Sequence, residues 1–208
     1  MLEQEGRVWF RRALSVEGLA ALDATASSEG RPGERIIALP HIEAVSALAS
    51  ELLPGARAVR VVAFNKTEAS NWTLPWHQDR VVALRERIDT PGFTNWTKKS
   101  GIWHAEPPIE VLEHMLFARI HLDPSDEENG CLQLALGTHT RGKIAAADAD
   151  AVANASPIEN CIAARGDVLF AKALILHRSA PSRTNASRRA IRIDYCAERL
   201  PLPLAWAA

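Results

Sequence analysis

The sequence predicts a mainly β fold, a sandwich or jelly roll with helices laid outside it. Three observations predict it. Short apolar or alternating segments recur from Ala56 to Tyr195, glycine and proline turns punctuate them, and sustained helical periodicity is confined to the first 55 residues. With 208 residues, 47% of them hydrophobic, the chain can bury one core. A single domain over 1–208 is therefore expected, with a helical scaffold over 1–55 packed on the sheet, a strand-built core over 56–198 and a lid over 85–108.

Ser15 caps a helix running to about Ala26, with Leu14, Leu19 and Leu22 as its apolar stripe and Ser27-Ser28-Glu29-Gly30 as its end. Pro40 opens a second helix to about Leu53, in which Ile42, Val45, Ala49 and Leu52 recur at helical spacing and Pro54-Gly55 stops it. His41, in its first turn, reads as a surface residue. Ala56 to Phe64 alternates as a strand, and Lys66 beyond it is either a solvated strand-end charge or a contact to an acidic co-substrate. Trp72 and Trp76 either pack the mouth of the sandwich or line a substrate entrance.

Arg85 to Pro108 is a long connection of the kind that forms lids. Trp96, Trp103 and His104 within it touch substrate if it closes, and otherwise belong to an edge loop with a buried tryptophan. A short helical turn to Glu113 leads into the strand Met115 to Leu122, where Leu116, Ala118 and Ile120 share one face and Phe117, Arg119 and His121 the other. That alternation predicts a half-buried strand whose Arg119 and His121 are either solvated or look into a cavity. Cys131 to Leu136 is another strand, His139 sits in a turn, and the alanine-rich Asp148 to Ser156 is a short helix or an irregular excursion. Ile158 to Ala164 reads as a strand, and Val168 to Leu176 is apolar enough for one buried central strand delivering His177 to its end. After the turn Pro181 to Ser187, the strand Arg188 to Tyr195 puts Arg188, Ala190, Arg192 and Asp194 on one face and Arg189 on the other.

Charge and cysteine usage exclude several classes. A formal net charge of -1 and a pI near 6.7 give no basic field for nucleic acid or an anionic membrane, and no apolar run approaches the ~20 residues of a membrane span. Cys131, Cys161 and Cys196 are odd in number and widely spaced, and the charged start of the chain is no signal peptide, so a reducing cytoplasm is expected.

The chemistry rests on Trp76-His77-Gln78-Asp79, an imidazole and a carboxylate two residues apart, which would share one face of a strand. His177 supplies a third donor about a hundred residues later. Two histidines and one carboxylate with open coordination positions are the facial triad of non-haem Fe(II) oxygenases. His104 could mimic a ligand but has no carboxylate two residues away.

Pro75-Trp76-His77-Gln78-Asp79, Glu128-Asn129-Gly130-Cys131-Leu132, Gly137-Thr138-His139, and Gly166-Asp167-Val168 through His177-Arg178-Ser179 to Arg188, taken in this order, resemble the phytanoyl-CoA dioxygenase family. The resemblance covers residues 60 to 196. It implies a double-stranded β-helix (jelly roll, cupin-like), Fe(II), 2-oxoglutarate as co-substrate, dioxygen, and oxidation of a C–H bond in a small-molecule substrate. By position it implies that His77, Asp79 and His177 hold iron, that Arg188 pairs with the distal carboxylate of 2-oxoglutarate, and that Ser179 can bond the same co-substrate. A guanidinium suits that task, because it binds a carboxylate through two parallel bonds and stays charged when partly buried. Family members that halogenate lack the carboxylate ligand, so Asp79 favours hydroxylation. The competing expectation is a non-catalytic cupin-like module that binds a small acid in the same pocket, and a metal hydrolase or isomerase is a third.

Overall fold

Alternation of apolar residues becomes, in the computed structural model, a set of antiparallel sheets; residues 1–25, 33–36, 39, 41–184 and 187–207 are described. In chain order the first elements are α1 (Leu2–Glu5), β1 (Arg7–Phe10), α2 (Val16–Thr25), β2 (Glu34–Arg35), α3 (Glu43–Leu52), β3 (Arg57–Lys66), β4 (Leu74–His77) and β5 (Val82–Leu84). There follow β6 (Thr94–Lys99), β7 (Ile102–Glu106), α4 (Ile109–Glu113), β8 (Met115–His121), β9 (Leu132–Ala135) and α5 (Ala149–Asn154). The chain closes with β10 (Ile158–Asn160), β11 (Val168–Lys172), β12 (Leu176–Ser179) and β13 (Arg188–Cys196). The expected end of the first helix past Ala26 and the start of the second at Pro40 lie outside the described residues, as do two positions of the turn before Arg188.

A six-stranded sheet in the order β1-β11-β8-β13-β3-β2 faces a four-stranded sheet in the order β10-β9-β12-β4. This mainly β, jelly-roll arrangement is the predicted fold class. Phe117, Leu169 and Ala171 of the larger sheet meet Leu132 and Leu134 of the smaller one in a single buried cluster. The other face of the larger sheet is covered too: Leu116, Ala118, Ile120, Ile191, Ile193 and Tyr195 pack against Leu19 and Leu22 of α2 and Val45 and Ala49 of α3. Hence β8 is buried on both faces, and the expected solvated face does not exist.

Three other expectations change. The run Val168 to Leu176 is two strands, β11 in the larger sheet and β12 in the smaller, with a corner at Ala173 to Ile175. Periodicity cannot show such a corner, because all three corner residues are buried and apolar. The predicted loop 85–108 contains β6 and β7, which join β5 in a three-stranded sheet. Its hairpin turns at Ser100 (φ 48°) and Gly101 (φ 81°), between paired Lys99 and Ile102, and two consecutive positive φ values are what a two-residue turn of this hand demands. The strand predicted over Ile158 to Ala164 stops at Asn160. Among the described residues no helix is long and apolar enough to cross a membrane.

Phe170 stands between the Phe10 ring, at 5.7 Å edge-on, and the Tyr195 ring at 6.4 Å, with no exposure. Phe170→Ala is expected to cost about 3–5 kcal/mol of unfolding free energy in denaturant titration.

Candidate metal and anion site

The site begins with a register. In the β12–β4 ladder His177 stands directly opposite His77, and the two rings lie 4.3 Å apart between centroids. Each ring is fixed by its own backbone: Nδ1 of His77 donates to the Pro75 carbonyl at 2.8 Å, and Nδ1 of His177 to the Ile175 carbonyl at 3.0 Å. With Nδ1 so engaged, Nε2 is the nitrogen each ring can offer to a metal. Asp79 lies two residues past the end of β4 rather than on it, so the shared strand face expected of His77 and Asp79 is not what aims the carboxylate. Between them Gln78 points away and is tied down, donating to the carbonyls of Leu174 (2.6 Å) and Gly142 (2.9 Å) and accepting from the amide of Ile144 (2.8 Å). One ligand atom from each of His77, Asp79 and His177 lies within 4.8 Å of the others.

Behind Asp79 runs a chain of buried charges. Arg192 donates to Asp79 through Nη1 and to Asp194 through Nε at 2.6 Å, and Asp194 in turn accepts from Arg60. Burial alone would push the Asp79 carboxyl up, but Arg192 and His177 outweigh it and hold it well below the usual carboxylate range. Burial, and then the neighbouring His177, push His77 down, toward the neutral form. Two imidazoles and an ionised carboxylate fit a divalent metal with open positions.

These groups line one end of a cavity of about 200 Å³ between the two sheets. Its other end is cationic. Arg188, 3% exposed, presents a guanidinium whose Nε and Nη1 are buried without a partner. Neighbouring Arg189 turns outward to Asp123 and Asp23, which settles which of the two arginines faces in. Opposite Arg188 in the ladder stands Lys66, which is fully buried rather than solvated and donates to Ser179 Oγ at 3.0 Å and to the Ala180 carbonyl at 2.5 Å. Burial first, then Arg188 and Arg119, lower its pKa to about 7. Ser179 Oγ in turn donates to the Gly130 carbonyl at 3.1 Å. Gly130 has φ +69°, and a Cβ there would stand 2.4 Å from the Ala180 oxygen, so the Glu128-Asn129-Gly130 turn needs glycine to approach β12 this closely.

Of the residues expected to contact substrate, only Arg119 lines this cavity. Trp76 is buried beneath Arg178, 4.7 Å from its ring centroid, beside a smaller pocket, and Trp72 takes the place expected of it. Trp96 and Trp103 pack edge to face at 6.4 Å in the small sheet, where His104 is fully buried in β7. His121 is buried against the Trp9 ring at 5.8 Å. Phe64, Leu74, Phe117, Leu132 and Arg192 also line the cavity without having been singled out. Alternation could have found two of them: Phe117 shares a face with Arg119, and Arg192 with Arg188.

The family described as phytanoyl-CoA dioxygenase (PhyH) matches residues 11–190. No curated protein matches. Among solved structures, AviO1 from Streptomyces viridochromogenes Tue57 is similar at 18% identity and a TM-score of 0.66, over 96% of this chain and 93% of that one. The non-haem α-ketoglutarate-dependent carbocyclase SnoK from nogalamycin biosynthesis is similar at 16% identity and a TM-score of 0.67, over 94% and 81%. The epimerase SnoN, in complex with Fe3+, α-ketoglutarate and nogalamycin RO, gives 16% and 0.67 over 94% and 80%.

Arg192→Met would leave Asp79 without its cation and Asp194 with one fewer. Removing one partner of a buried pair costs about 3–5 kcal/mol, so unfolding free energy of the metal-free protein should fall by an amount of that order in denaturant titration.

Proposed function

We propose, since the chain belongs to the phytanoyl-CoA dioxygenase family, that it works as a non-haem iron, 2-oxoglutarate-dependent dioxygenase hydroxylating a C–H bond of a small molecule. The observation that carries this reading is one cavity with a three-donor metal site at one end and a buried, unpaired guanidinium at the other. His77, Asp79 and His177 would hold the iron, and Arg188, with Ser179 and Lys66 beside it, would take the distal carboxylate of 2-oxoglutarate. When bound, iron and 2-oxoglutarate supply the oxidising chemistry: dioxygen gives one atom to succinate, formed with loss of carbon dioxide, and the other to the substrate C–H bond.

The chain's own residues orient and shield. Carbonyls of Pro75 and Ile175 fix both imidazoles in the tautomer that turns Nε2 to the metal. Arg192 occupies Asp79 Oδ2, leaving Oδ1 as the carboxylate's open oxygen. Phe64, Phe117 and Leu132 keep the cavity walls apolar, which strengthens every charge interaction inside. Trp72 and Leu74, the latter 36% exposed, lie toward solvent, and there the small-molecule substrate would enter. Asp79 is a carboxylate rather than a small residue, and so hydroxylation is favoured over halogenation.

Anaerobic addition of Fe(II) and then 2-oxoglutarate should give a weak visible charge-transfer band, and aerobic incubation should release succinate. Outer-shell changes at metal sites cost about 10–100-fold, so losing a ligand in Asp79→Ala should erase the band and lower succinate release by about 100-fold or more. Absence of the band in protein with all three ligands intact would refute the reading, and a purely binding module would release no succinate with any substrate.

The pKa of Lys66, about 7 in the ligand-free protein, sets a pH dependence. Below that value Lys66 is charged and favours a dianion; above it the charge is lost. The Kd for 2-oxoglutarate should therefore rise as the pH is raised through about 7, and Lys66→Met should flatten the profile.

A further inference from the structure

The cationic end of the cavity holds more charge than one carboxylate-binding arginine requires. Arg119, on β8, stands directly opposite Arg192 of β13 and is 7% exposed. Its Nε is buried without a partner, and among the described residues no hydrogen bond or carboxylate reaches its guanidinium. The two carboxylates that Arg192 meets are already engaged, Asp79 after β4 by Arg192, and Asp194 of β13 by Arg192 and Arg60. Arg188 is unpaired in the same way, so one cavity of about 200 Å³ has two guanidiniums that no carboxylate bonds among the described residues.

Position distinguishes what Arg119 serves. Its Cζ lies 5.5 Å from the Phe64 ring, and Phe64 is opposite Ala190, midway along β13 between Arg192 at the metal end and Arg188 at the far end. The guanidinium thus leans from the level of Arg192 toward Arg188, which after burial is the strongest influence lowering its pKa to about 9. It is buried, whereas Leu74 on the same cavity wall is exposed. A dicarboxylate reaching from the triad to Arg188 would pass alongside it.

We infer that Arg119 is a second guanidinium for the distal carboxylate of 2-oxoglutarate, which this chain grips between Arg188 and Arg119. The inference rests on the function proposed above. A carboxylate has two oxygens and about four lone-pair sites, enough for two guanidiniums, and charge-assisted bonds of this type are the strong ones. Without the ligand, two buried like charges face each other unpaired, and that arrangement is costly. Arg119 therefore acts against stability in the empty protein and for affinity in the loaded one.

Two measurements test this. Arg119→Met keeps the length of the apolar stem and removes the charge. Metal-free Arg119→Met should melt at or above the wild-type temperature. Titrating 2-oxoglutarate into the anaerobic Fe(II)-loaded variant, read by the charge-transfer band, should give a Kd raised about 10-fold to 100-fold, the worth of a hydrogen bond to a charged group. Arg119→Lys should recover part of that loss, because a lysine keeps the charge but not the fork. Should the methionine variant fail to fold, the lysine variant alone decides, with an expected Kd above wild type. An unchanged 2-oxoglutarate Kd in the folded variant overturns the inference, and a raised KM for the primary substrate with that Kd unchanged would reassign Arg119 to substrate. Wild-type protein that binds no 2-oxoglutarate at all overturns the proposed function instead, and the inference with it.

Discussion

The pairing of β12 with β4 is the constraint on which the rest of the site depends. It sets His177 against His77 across a gap of a hundred residues in the chain, and it is fixed from both sides. On one side β9 pairs with β12 from Leu176 to Ser179. At the entry, Thr138 Oγ1 accepts from the Leu176 amide at 2.9 Å and donates to the Ala135 carbonyl at 2.7 Å, which pins the first residue of β12 to the turn after β9. A slip of one residue would turn His177 to the other face of the sheet, and Ser179 with it. The ladder therefore positions the metal end and the anion end in one step.

Those two ends follow opposite electrostatic logic. At the metal end each acid has a base: Asp79 and Asp194 alternate with Arg192 and Arg60, and His77 is pushed toward its neutral form. At the far end Lys66, Arg188 and Arg119 form no ion pair with a carboxylate among the described residues, and burial depresses the pKa of every one of them. A divalent cation at the first and a dianion reaching to the second would neutralise each other. The protein holds half of a charge arrangement whose other half is its ligands.

How much of this was legible in the sequence follows from what pattern can carry. That His77, Asp79 and His177 belong together was readable from residue type, although the shared strand face expected of the first two is not what aims Asp79; that Arg188 rather than Arg189 turns inward was readable from two-residue alternation. The corner inside Val168 to Leu176 was not, since a fully apolar run looks the same whether it stays in one sheet or crosses to another. The small sheet built from 82–106 was missed because β6 is almost wholly exposed and polar, so hydrophobic alternation is absent; its Ser100-Gly101 turn flanked by strand-forming residues was the available signal. Trp96, Trp103 and His104, expected at substrate, sit in that small sheet and do not line the cavity. The Arg192–Asp79 contact required knowing that β4 faces β13 across the sandwich, which is tertiary information.

Carrying so much unpaired charge inside requires stability from elsewhere, and the central strands show where it comes from. Along β8, Leu116, Ala118 and Ile120 point to the helices while Phe117, Arg119 and His121 point into the sandwich; along β13, Ile191, Ile193 and Tyr195 oppose Arg188, Arg192 and Asp194. Covering the larger sheet with α2 and α3 makes its outer face a second apolar core, edged by the ion pair of Arg189 with Asp23 of α2. The same strands thus stabilise on one face and bind on the other, so the inner face can hold guanidiniums that an apolar interior alone would not tolerate. That division explains why the N-terminal helices, which line none of the cavity, are part of what makes its chemistry possible.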